Sequence, residues 1–179
     1  MEGTQSQLGV LRVLWGALVS SMLIIVGVTV LVIEPTSPPD PILLVGLGLT
    51  GATVAVVSLM WPRLFFLRLL ATMNPKLTDV TDSTGSDVLP YRDTKRRRVF
   101  ASPDAAARGA LTRYQTVFIL KMALAESVGI FGLVLRVLGH ELTSVAPFFV
   151  VALALQLARF PRPASWERPL EAQFGASLR

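Results

Sequence analysis

The stretch KMALAESVGIFGLVL, residues 121–135, sets Glu126 inside a long apolar run. At the midplane of a bilayer a charged carboxylate costs about 2.5–3.5 kcal/mol. Such a group either stays protonated or finds hydrogen-bond donors nearby. By 3.6-residue periodicity its own helix face carries Ile119, Met122, Ala123, Gly129, Ile130 and Leu133, none of which can satisfy it. The donors must come from another helix or another subunit. Ser20 and Ser21 lie at a matching depth in one apolar run, and Thr53 in another. Lys121 is rotated about 140° away on the same helix, so it is expected to snorkel toward an interface instead. Two chemistries fit a carboxyl in this place. One is ion or proton carriage by titration. The other, expected here, is a structural hydrogen bond from Ser20 or Ser21 that holds two helices together.

The remaining chemistry-bearing types narrow the field. The absence of cysteine excludes disulfides, thiolate metal sites and cysteine nucleophiles. His140 and Glu141 are adjacent, but a single histidine without companion ligands makes no zinc site, and the expectation is a surface turn. One histidine and no nucleophile elbow leave no Ser-His-Asp set. GLGLTG (46–51) matches a dinucleotide fingerprint by letters only, because that motif needs a preceding strand and here it sits inside an apolar run. Gly48, Ala52 and Ala55 read instead as a small-residue packing stripe, as do Ala125, Gly129 and Gly132 beside Glu126. The cluster Lys95, Arg96, Arg97 and Arg98 suits anionic lipid headgroups, at about 1 kcal/mol per residue. No nucleic-acid partner is needed to account for it. The expected protein is non-enzymatic, with no cofactor or metal.

The elements that position these residues follow from composition. Of 179 residues, 52% are hydrophobic and only 16% charged, against about 25% charged in soluble domains. The apolar residues fall in four blocks, at about 11–33, 41–61, 115–138 and 144–160. Each approaches the ~20 residues that cross a bilayer. The first block is read as a retained span, since no small-x-small cleavage site follows it before Glu34. The connection 34–40 is short, Pro-rich and acidic, and 139–143 is a tight turn. Segment 62–114 holds ten of the seventeen basic residues, and Arg159, Arg162, Arg168 and Arg179 lie at or beyond the end of the last block. The positive-inside rule then places both termini and the long loop in the cytoplasm of a cell bounded by an inner membrane. The expected fold is an all-α, multi-pass four-helix membrane bundle, N-in and C-in. It comprises a hairpin over 1–61, a basic loop over 62–114, a second hairpin over 115–160 and a tail over 161–179.

Finer expectations attach to the loop. RLFFLRLLATM (63–73) reads as an interfacial amphipathic continuation of the second span, with Arg63 and Arg68 toward the headgroups. Residues 74–101 lack apolar periodicity and read as mobile. Ser102-Pro103-Asp104 reads as a helix start, with Gly139 as the matching C-terminal cap. ALVSS (17–21) and ALAES (123–127), with MWPR (60–63) and RFPR (159–162), suggest two tandem helical hairpins in which Ser20 is equivalent to Glu126.

ALAESVGIFGLV resembles the carboxylate helix of the proteolipid (c) subunit of rotary ATP synthases, and VGLGLTGATVA (45–55) is similar to its Gly-rich partner helix. The resemblance covers residues 123–134 most closely and implies Glu126 as a proton carrier. Proteolipids join the two helices through a short Arg-Gln/Asn-Pro loop, whereas about fifty residues intervene here. The overall layout also resembles small bacterial four-span membrane proteins, which implies no activity. Expected partners are the lipid bilayer, anionic headgroups, and further copies of the chain or a larger membrane complex.

Overall fold

The computed structural model describes residues 2–33, 40–81 and 96–178. Lys95 and most of the acidic connection 34–40 lie outside them. Five helices run α1 Glu2–Leu31, α2 Pro41–Ala71, α3 Pro103–Val137, α4 Leu142–Leu157 and α5 Ala164–Phe174. The helix boundaries follow local chemistry. Asp40 caps α2 by accepting from the Ile42 N–H at 2.9 Å, ahead of Pro41 at the first turn. α3 starts at Pro103 with Asp104 in its first turn, although the Ser102 side chain makes no capping bond. After α3 the chain turns through Gly139 at φ 93°, a left-handed conformation that favours glycine.

α1, α2 and α3 are each long and apolar enough to cross a membrane. α4 has 16 residues, about 24 Å by helical rise, short of a ~30 Å hydrocarbon core. α1 and α2 are apolar on all sides and keep much of that surface exposed, as at Val13, Ile24, Leu31, Ile42 and Leu49. α3 is the hub. It packs on α1, α2, α4 and α5, while α1 and α2 make no close backbone approach to each other. The first expected hairpin is therefore split by α3, whereas α3 and α4 pack directly. The two halves of the suggested repeat differ in packing for that reason.

Two apolar clusters hold the bundle. The larger gathers Leu8 and Leu11 of α1, Phe66 and Leu70 of α2, Leu111, Tyr114 and Phe118 of α3, and Trp166 and Leu170 of α5. It brings the start of α1, the end of α2, the start of α3 and the C-terminal segment to one end. Burying Trp166 and Leu170 stabilises this end by roughly 1.5–3 kcal/mol per side chain. The smaller cluster, with Met22, Val128, Leu135, Val145 and Phe149, fills the other half.

The segment after the second apolar block departs from expectation in one respect. Segment 63–73 does continue the second apolar helix, since α2 runs through Pro62 to Ala71. Residues 74–101 are not wholly irregular. β1 Leu77–Thr81 pairs antiparallel with β2 Arg96–Phe100, in register from Leu77 with Phe100 to Thr81 with Arg96. The chain end joins this hairpin, where Ser177 donates its N–H to the Arg98 carbonyl at 3.1 Å. The tail also carries α5, closed by Gly175 at φ 58°.

Candidate functional site

Glu126 lies two-thirds of the way along α3, half-buried and turned toward α1. The Ser21 hydroxyl donates to Glu126 Oε1 at 3.3 Å. Of the three expected donors, the structure thus brings one to the carboxyl. Ser20 is exposed on α1, about 100° around the helix from Ser21. Thr53 is exposed on α2, and its hydroxyl donates to the Leu49 carbonyl of its own helix at 2.8 Å.

The small residues beside Glu126 make the approach close. Ala125, Gly129 and Gly132 are all buried. A Cβ on Gly129 would collide with the thioether end of Met22, and one on Gly132 would stand 2.9 Å from Phe148 Cβ. α1 and α4 therefore reach α3 through the turns C-terminal to the carboxyl. The stripe on α2 is displaced from the expected face. Gly48 has open space around it and Ala52 is exposed, whereas buried Gly51 faces the Phe148 ring. Gly48, Ala52 and Ala55 line a surface groove of about 400 Å³ against Val128 and Phe148. α2 is apolar all round, so its sequence gives no angular signal for which side faces the bundle.

Two arginines that sequence reasoning assigned to topology or left aside act as inter-helix clamps. Arg159, just past α4, donates Nη1 to the Lys121 carbonyl of α3. Its Nη2 donates to Ser58 of α2, at 2.9 Å to the carbonyl and 2.7 Å to the hydroxyl. The Ser58 carbonyl is the group a residue at position 62 would normally bond within the helix. Pro62 has no N–H to give, and the guanidinium takes its place. At the other end, Arg136 Nη2 donates to the Ile33 carbonyl beyond α1 at 2.9 Å, and Nη1 to the His140 carbonyl at 3.1 Å. Trp15 adds a third tie by donating its indole N–H to the Gln156 carbonyl at 2.9 Å. The available signal for the Arg159 clamp was Pro62 itself, which vacates a carbonyl that some donor must fill.

His140 is not at the surface. It is 2% exposed at the α3–α4 turn, while neighbouring Glu141 is exposed. Lys121 extends back toward the Tyr114 ring, 5.9 Å from its centroid. Arg98 forms a loose, exposed ion pair with Asp79 at 3.8 Å, and Arg96 and Arg97 lie in β2 beside it. Among the described residues no group of three or more His, Asp or Glu side chains is placed to hold a metal.

No protein-family model, curated protein or solved structure matches the chain.

Proposed function

We propose that this chain is a four-span, non-enzymatic component of a membrane assembly, with α4 as a short fourth span. Both termini and the basic loop face the cytoplasm, and the membrane is the cell's inner membrane. Glu126 serves as a buried polar tie between helices. The observation that supports this reading most is the Ser21–Glu126 contact. It gives the mid-span carboxyl a partner within the chain, in the lipid zone where an unpaired one costs most. The exposed apolar lengths of α1 and α2 are the surfaces offered to lipid and to neighbouring subunits. The basic residues 95–98 anchor the loop to anionic headgroups.

The assembly reading is tested by oligomeric state and copurifying chains in mild detergent. A ring or hetero-complex supports it. A monodisperse monomer with no partner overturns it. Topology is accessible because the chain has no cysteine of its own. Ser6→Cys and Thr143→Cys should label from opposite sides of sealed vesicles.

A second reading is carried by the half-buried position of Glu126, which keeps part of the carboxyl at the bundle surface. In that reading Glu126 binds and releases a proton as a coupling subunit, with Ser21 as the donor it exchanges for water. Carbodiimide labelling of Glu126 that depends on pH, and proton flux in vesicles abolished by Glu126→Gln, would favour it. Vesicles with no flux to abolish would exclude it.

A further inference from the structure

The cytoplasmic third of α2 and the outer face of α5 enclose a groove that the bundle does not require for its own packing. Arg63 of α2 and Arg168 of α5 line it together with Phe66, Leu67, Pro169 and Gln173, around a volume of about 380 Å³. Both arginines are exposed, and no acidic side chain lines the groove. The acidic residues of α5, Glu167 and Glu171, line a different groove with Asp104 and Pro103. The short helix thus separates its charges, with Arg168 alone turned to α2.

Depth gives this groove its chemistry. α2 has 31 residues, about 46 Å long, so roughly 16 Å of it extends beyond a ~30 Å hydrocarbon core. Trp61 is 54% exposed, at the point where aromatic side chains mark the interface. Arg63 follows about half a turn later, at headgroup level. α5 is held against the bundle by buried Trp166 and Leu170, and Arg168 lines the same groove as Arg63. Exposed Val56, Leu59 and Met60, one to two turns from Arg63 toward the hydrocarbon core, offer acyl chains an apolar track.

We propose that the α2–α5 groove binds the phosphate of an anionic phospholipid, held between the Arg63 and Arg168 guanidiniums with Gln173 at the rim. Planar guanidiniums match phosphate oxygens in paired hydrogen bonds. The site rests on the membrane-spanning reading. It is distinct from the headgroup attraction proposed for residues 95–98.

The test is native mass spectrometry of the full chain in detergent, titrated with phosphatidylglycerol against a phosphatidylcholine background. Saturable retention of one phosphatidylglycerol is expected. Arg63→Gln with Arg168→Gln should weaken it about 25-fold, roughly fivefold per arginine, and the Lys pair should lie between. Arg108→Gln with Arg162→Gln, exposed at the same end of the bundle, should leave it unchanged. Equal weakening by that control pair, binding that ignores Arg63 and Arg168, or equal competition by inorganic phosphate would each overturn the proposal. If the protein instead washes off membranes in alkaline carbonate, the membrane reading fails first. If it stays integral while binding ignores the two arginines, only the groove fails.

Discussion

Replacing Arg159 tests the clamp at its most informative point. Arg159 makes three hydrogen bonds, and hydrogen bonds from charged donors contribute about 1.5–3 kcal/mol each. The Lys121 carbonyl already accepts the helical N–H of Ala125, so losing that bond strands nothing. The two bonds to Ser58 decide the cost, and their half-buried setting argues for the low end of the range. Arg159→Leu is therefore expected to destabilise by about 3 kcal/mol, half of it from a Ser58 carbonyl left without a donor. Pro62→Ala restores an N–H at the position that serves this carbonyl. In that background Arg159→Leu should cost only about 1.5 kcal/mol, a coupling of about 1.5 kcal/mol between residues 62 and 159. Reversible unfolding in mixed micelles of mild and denaturing detergent, followed by helical signal, measures all four corners of the cycle. A coupling below about 0.5 kcal/mol, the usual scatter of independent sites, would refute the idea that the guanidinium stands in for the missing proline N–H.

Three further outcomes use the same assay. Ser21→Ala should destabilise by about 0.6–1 kcal/mol, typical of an intramembrane hydrogen bond, while Ser20→Ala should change little; equal effects would remove Ser21 as the specific partner of Glu126. Gly132→Ala should cost more than Gly129→Ala, because Phe148 Cβ sits next to backbone whereas the end of Met22 can swing away, and Gly48→Ala should be neutral or stabilise by up to about 1 kcal/mol; a reversed order would contradict the packing. Arg136→Leu should loosen the end of α1, seen as faster amide exchange near Ile33 with exchange near Leu11 unchanged, and uniform exchange along α1 would refute a local role.

What was legible in the sequence was whatever leaves a local or periodic trace. Three long apolar helices, the start of α3 at Pro103 and the depth match between Ser21 and Glu126 could be read directly. Residues 20 and 21 could not be told apart, because α1 is apolar on every side and its bundle-facing side is set by contact with α3. The β1–β2 pair escaped because LTDVT and RRRVF alternate poorly and pair across a long gap in sequence. α5 was hidden by Pro169, which reads as a breaker although the helix passes through it. Arg159 carried a clear topological meaning as a positive charge near a span end. Its second role depends on a carbonyl 101 positions earlier, a relation that no local pattern encodes.

That separation also has a meaning in time. During synthesis, at about 5–20 residues per second, roughly 5–20 s pass between the emergence of Ser58 and that of Arg159. Through that interval α2 holds a carbonyl its own helix cannot serve. Water is the donor at hand until the residue after α4 arrives with the guanidinium. A chain cut short before residue 159 would keep that defect permanently. Pro62 thus makes the arrival of residue 159 a condition for closing this part of the bundle.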